Sequence, residues 1–256
     1  MGFGDQTNRW ACSAIGNYTD WTPSVATQCT SGQFLDSPGG ITAGKQLGDI
    51  IVAYKERAMY VGQYVGAPMV WDFRRVPGDI GTPCQEAVIN TGTAHYFIGV
   101  DDFYVFDGTR PQSLKAPLRQ WFFSQLDAKY AYKICGTYDL INKRAYWWYP
   151  SVSSNGALND CIVLNTSTGQ WGKISLTIEY VADYVSPGVT YEGLGTLYST
   201  YDDLPLTISY ESPFWNSGSS VLAVFKTDHK AYQLSGAATE SRFTTGHYGD
   251  NVQFST

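Results

Sequence analysis

The sequence predicts an all-β domain of the propeller type, with about six blades (five to seven). Three observations predict it: a composition built for strands and turns, hairpins that recur at about 42 residues, and strands that are apolar at consecutive positions. The composition comes first. The 256 residues hold 26 Gly, 19 Tyr, 12 Phe and 8 Trp, while only 16% are charged, which favours pleated strands and tight turns over helices. A chain of this length buries enough surface to hold a core without metals or disulfides, so residues 1–256 are read as a single domain.

The hairpins follow in chain order. Asp49 to Tyr54 turns at Lys55-Glu56-Arg57 into Ala58 to Gly62, and Ile134 to Ile141 turns at Asn142-Lys143-Arg144 into Ala145 to Tyr149. A third pair runs from Val221 to Phe225 through Asp228-His229 to Ala231 to Leu234. Turn centres near Gly16, Glu56, Gly92, Lys143, Pro187 and Asp228 lie 40, 36, 51, 44 and 41 residues apart, in the range of propeller blades. The long step has a visible cause: Leu114, Leu118, Trp121, Phe122 and Leu126 follow helical spacing after Pro111 and Ser113, which predicts one short inserted helix near 114–126. The run Ile50 to Ala53 is apolar without alternation, as expected when both faces of a sheet are covered by neighbours. A β-sandwich or barrel is the alternative, and would show more polar alternation. The segment Phe3 to Ala11 is expected to close the ring as an outer strand of the last blade.

Charge excludes a class of partner. Against 23 Asp and Glu stand 17 Lys and Arg, a formal charge of -6 with no basic block, whereas gripping phosphates requires clustered cations. The longest apolar runs, Ile50 to Tyr54 and Val221 to Phe225, are far too short for a membrane span, and no signal peptide is read at Met1 to Gln6. Cys12, Cys29, Cys84, Cys135 and Cys161 are dispersed and odd in number, without a Cys-x-x-Cys pair, so buried free thiols are expected.

Few residues suggest chemistry. Asp101-Asp102 with Asp107-Gly108 offers oxygen for calcium but lacks the twelve-residue loop with its terminal Glu, and two hairpin turns are the simpler account. His95, His229 and His247 are isolated, and Gly-x-Ser-x-Gly is absent. Glu86, Glu179, Glu192, Asp183 and Asp202 include enough carboxylates for a glycosidase pair, but their separations are not readable. Tyr146-Trp147-Trp148-Tyr149 offers ring faces for sugar stacking, or four rings for packing between blades. Asn17-Tyr-Thr19 and Asn165-Thr-Ser167 match the glycosylation acceptor, which has weight only behind a secretory signal. Asn165 to Trp171 resembles the turn-then-Trp element of sialidase-type propellers, in which Trp packs between blades. No catalytic, cofactor-binding or metal-binding residue is assigned, and the expectation is a protein that is not an enzyme.

Phe103-Tyr-Val-Phe-Asp-Gly108-Thr-Arg-Pro111, Asn142-Lys-Arg-Ala-Tyr-Trp-Trp-Tyr-Pro150 and Leu222 to Gly236 resemble stretches of propeller-bearing tail hub or nozzle proteins of tailed bacteriophages, also described as packaged-DNA stabilisation proteins. The opening Trp10 to Trp21 fits a first blade of that group. The resemblance implies a structural virion protein, assembled in the host cytoplasm and located in the tail. It implies a hexameric ring of copies that meets other tail and portal or adaptor proteins. That ring would extend the DNA conduit and help retain the packaged genome, with DNA passing through and not held. Proteins of that group are longer, with domains after the propeller, so a fragment or a reduced version is expected. The rival readings are a glycan-binding propeller, lectin-like or receptor-binding, and, behind it, a glycoside hydrolase.

Overall fold

The structure is a computed structural model that describes residues 1–4, 7–185 and 220–234, with residues 194, 195, 198 and 200. Its strands form five antiparallel sheets in chain order, each a meander in which every strand pairs with the next. The first holds β1 (Gly2–Phe3), β2 (Arg9–Cys12) and β3 (Thr30–Gln33); the second β4 (Ile41–Leu47), β5 (Ile50–Lys55), β6 (Met59–Gly66) and β7 (Val70–Arg75). The third holds β8 (Val88–Asn90), β9 (His95–Ile98), β10 (Phe103–Phe106) and β11 (Gln112–Ser113); the fourth β12 (Cys135–Asp139), β13 (Arg144–Pro150), β14 (Leu158–Asn165) and β15 (Trp171–Ile178). The fifth holds β16 (Tyr180–Val185), β17 (Ser220–Phe225) and β18 (Ala231–Gln233). The predicted all-β class and all three predicted hairpins form, with Tyr54 opposite Met59, Asp139 opposite Arg144 and Phe225 opposite Ala231.

The repeat is longer than the turn spacing suggested. First strands of the second to fifth sheets begin at Ile41, Val88, Cys135 and Tyr180, at intervals of 47, 47 and 45 residues. Glu56 and Asp228 lie between second and third strands, whereas Gly92 and Lys143 lie between first and second, so the counted turns were not equivalent. The turn expected near Pro187 lies outside the described residues.

Apolar layers alternate with the sheets. Trp10, Phe34, Ala53 and Tyr60 fill the space between the first and second sheets, and Val52, Tyr54, Val61, Val88, Phe97 and Phe106 that between the second and third. Ile98, Phe103, Trp147, Tyr149 and Ile162 join the third to the fourth, and Tyr146, Trp148, Cys161, Val181 and Val224 the fourth to the fifth. Neighbouring residues on one strand point to opposite faces, so Ala53 enters one layer while Val52 and Tyr54 enter the next. That is why these strands carry no polar alternation.

The first strands lie side by side, β1 against β4, β4 against β8, β8 against β12 and β12 against β16. Side chains seal the free edge of β4: the Gln85 amide accepts from Gly44 N at 2.7 Å and donates to Gly44 O at 3.0 Å, as a paired strand would. Asn90 Nδ2 donates to Gln46 O at 2.7 Å, and Thr42 Oγ1 to Thr82 O at 2.8 Å. Such close approach requires glycine at Gly136, where an added Cβ would stand 2.9 Å from Glu86 O. The first sheet corrects the closure expectation. Phe3 pairs with Trp10 inside that sheet, and β1 lies against β4, so the strands of this segment, β1 and β2, belong to the first sheet.

Two further departures are local. Lys55, expected in the turn, ends β5 and is fully buried, its Nζ donating to Phe34 O at 2.9 Å and Ser37 O at 2.8 Å. Burial lowers its pKa, against the opposing pull of Asp36. The inserted helix, α1, spans only Arg119–Gln125, because Lys115 is left-handed (φ 47°) and the residue before Pro117 is disfavoured in helix. Its buried Phe122 packs 5.0 Å from Phe103 and 4.7 Å from Tyr149.

Trp147 is fully buried and donates its indole N–H to Ala87 O across sheets at 3.1 Å. Trp147→Ala should therefore cost about 3–5 kcal/mol of unfolding free energy in urea denaturation. Trp121→Ala, at a 38% exposed position under Lys173, should cost under about 1 kcal/mol.

Candidate functional site

The inserted segment builds one wall of a cleft of about 700 Å³. Thr42 at the start of β4, Glu56 in the β5–β6 turn and Gly99 to Asp101 in the β9–β10 turn face Arg119, Phe123 and Leu126 of α1 and its end, with Ala131 and Tyr132 beyond. The position follows from the local folding of the chain. Gly99 N donates to Asp102 O and tightens the β9–β10 turn, while Phe122 anchors α1 in the layer below.

Arg119 is held by its inner nitrogen. Its Nε donates to Asp101 O at 2.6 Å and stands 3.7 Å from Asp102 Oδ1. Asp102 is otherwise engaged, accepting from Phe103 N at 2.8 Å and from Ser113 Oγ at 2.6 Å. Asp101 accepts from Tyr104 OH at 3.0 Å, and burial, helped by this carboxylate, pushes the Tyr104 phenol up to about 12. The cleft thus combines a pinned guanidinium, the carboxylates of Asp101 and Glu56, an apolar wall and the 62% exposed ring of Tyr132. Its one hydroxyl on a strand, that of Thr42, is engaged with Thr82 O. This arrangement can bind a polar ligand with an apolar face; its lining places no nucleophile beside a base.

The residues singled out from sequence go elsewhere. Tyr146, Trp147, Trp148 and Tyr149 are all buried between sheets, so none offers a ring face to a sugar. Asp101 and Asp102 sit at one end of β10, while Asp107 closes a turn at the other by accepting from Thr109 N at 2.9 Å. Among the described residues no three His, Cys, Asp or Glu side chains gather to hold a metal ion. Glu86 lies 4.0 Å from Lys45, Asp183 accepts from Thr137 Oγ1 at 3.3 Å, and Glu179 lies 3.3 Å from exposed His229; Glu192, Asp202 and His247 lie outside the described residues. Asn165 caps the β14–β15 turn through Ser167 N and Thr168 N, and Trp171 packs 4.9 Å from Phe103 of the third sheet, as the turn-then-Trp element implied.

All five cysteines are free, four of them buried and Cys84 half-buried with its thiol pushed up to about 11 by burial. Asn17 accepts from Thr19 N at 3.1 Å in the β2–β3 loop. Arg119, Glu56 and Tyr132 were missed from sequence. The signal that could have found Arg119 and Tyr132 was the inserted segment itself, since insertions between repeated elements are where a scaffold carries extra groups, whereas nothing in the sequence marks Glu56. Among the described residues no helix is long and apolar enough to cross a membrane. No protein-family model matches the chain, and no curated protein matches it.

His95 is fully buried between Tyr54 OH, 2.7 Å from Nδ1, and Gln46 O, 2.9 Å from Nε2. A carbonyl only accepts, so Nε2 carries the proton and Nδ1 accepts from Tyr54. Burial lowers the imidazole pKa to about 4, against an unfolded value near 6.5. The unfolded chain therefore takes up a proton first as pH falls, so the stability from neutral His95 is complete above about pH 6.5 and is lost towards pH 4. The wild type should lose about 2 kcal/mol more than His95→Gln between pH 7 and pH 5. Equal slopes in urea denaturation across that range would assign the acid sensitivity elsewhere.

Proposed function

We propose that the chain is a β-propeller of about six blades that serves as a structural ring component of a phage tail hub or nozzle, extending the DNA conduit. One observation supports the propeller: five successive meanders, with a buried apolar layer between each and the next, set their first strands side by side. Twisted sheets stacked face to face in this way curl about an axis formed by their first strands.

The tail role rests on the three resembling stretches together with where they fall. They cover β10, β13 and the β17–β18 hairpin, which supply Phe103, Trp147 and Val224 to the layers between sheets. An acidic chain suits a conduit through which DNA must slide. In this reading copies of the chain form a hexameric ring that contacts portal or adaptor and other tail proteins, without catalysis.

The α1 cleft favours a second reading, a glycan-binding propeller, because Arg119, Asp101 and Glu56 offer donors and acceptors for hydroxyls beside the Tyr132 ring. Cryo-electron microscopy of the particle that carries this chain separates the two. The expected result is density in a ring around a DNA-sized channel. An isolated propeller retained on a glycan array, with retention lost in Arg119→Ala, would replace the tail reading by the glycan one.

A further inference from the structure

The second, third and fourth sheets each have four strands, whereas the first has three among the described residues. A fourth strand packs against the neighbouring sheet, as β15 does by placing Trp171 on Phe103. In the first sheet the outer strand is β3, which among the described residues pairs with β2 alone.

The register shows which groups β3 turns outward. Phe34 N donates to Asn8 O at 2.9 Å, which continues the pairing of Trp10 with Gly32 and Cys12 with Thr30. Those are the hydrogen-bonded pairs of an antiparallel ladder, so Ser31 and Gln33, opposite Ala11 and Arg9, direct their N–H and C=O groups away from β2. No described backbone group meets them. The strand reads Thr-Ser-Gly-Gln, without the Lys or Pro that commonly blunts an edge.

Beside this edge lies a groove of about 500 Å³ between β3 and β7. Trp71 and Phe73, two residues apart on one face of β7, line it together with Leu35 and Met69, which are 76% and 63% exposed. An open ladder edge next to an apolar trough matches one chemistry. An extended polypeptide presents alternating N–H and C=O groups at ladder spacing and a side chain at every second residue for the trough. A saccharide has no such ladder, and an acyl chain has no polar groups to satisfy Ser31 and Gln33.

We propose that β3 is a docking edge that takes an extended segment of a partner polypeptide as the fourth strand of the first sheet, its alternate apolar side chains lying over Trp71 and Phe73. The inference rests on the first sheet and stands apart from the tail reading.

The test uses the full chain and a synthetic peptide of about seven residues alternating valine and threonine, with terminal lysines for solubility. Hydrogen–deuterium exchange is followed at Ser31 and Gln33. Both amides should exchange fast in the chain alone and slow by about 10-fold or more with saturating peptide. The same peptide N-methylated at alternate residues should protect neither. Gln33→Pro, which removes an outward N–H, and Leu35→Asp, on the groove rim, should each abolish protection with the thermal melt unchanged. Slow exchange in the chain alone would mean that the chain's own residues pair this edge, and would overturn the proposal. So would equal protection by the methylated peptide, or no protection at saturation.

Discussion

Burial of the second, third and fourth sheets on both faces is the constraint on which the rest of this structure depends. A two-stranded hairpin such as β12–β13 is marginal alone, and it becomes stable here because Trp147 and Tyr149 enter one layer while Tyr146 and Trp148 enter the other. Large aromatic residues are suited to this role because each fills a layer about 10 Å deep with few side chains. The gain is large enough to carry imperfections. Among the described residues the buried Trp148 indole N–H and Tyr149 hydroxyl meet no hydrogen-bond partner, at a cost of about 1–3 kcal/mol each.

Polar groups inside such a stack must be spent on structure. Lys55 secures Phe34 and Ser37, His95 links Tyr54 to Gln46, and Gln85 substitutes for a strand beside Gly44. Each is tied to a second sheet or to the segment that leads into one, so each fixes how neighbouring sheets sit. The same economy removes these residues from chemistry. A neutral imidazole with both nitrogens engaged is not free to shuttle protons, and a lysine whose Nζ is tied to two carbonyls has no open path to solvent.

How much was legible in the sequence follows from the same constraint. The runs Ile50 to Ala53 and Tyr146 to Tyr149 announced double-sided burial, because only a covered strand can be apolar at consecutive positions. Loop identity was not legible: Gly92 and Lys143 join first to second strands while Glu56 joins second to third, so the single spacings scattered, and the mean of about 42 came from setting Gly16 and Asp228 five turns apart although their sheets lie four apart. The destination of Phe3 to Ala11 was equally hidden, since pairing with the first or the last sheet buries the same side chains. Lys55 was misplaced because turn composition says nothing of whether an earlier segment, here Phe34 to Ser37, covers the turn from outside.

The candidate site lies where the repeat is interrupted, and this has a physical reason. The inner strands of the second, third and fourth meanders face a neighbouring sheet on both sides, and a cleft there would leave a layer unfilled. The segment after β11 escapes that rule because it belongs to no sheet. It buries Phe122 to hold itself down and leaves Arg119 and Tyr132 in the cleft, with Arg119 reaching the β9–β10 turn. Sequence announced the helix by its spacing but not the cleft, because Glu56 and Asp101 come from turns of two different sheets. Their meeting depends on the stacking that sets those turns side by side. Groups left free for recognition in this architecture therefore sit on insertions and open edges, and the stacked sheets supply the rigidity that positions them.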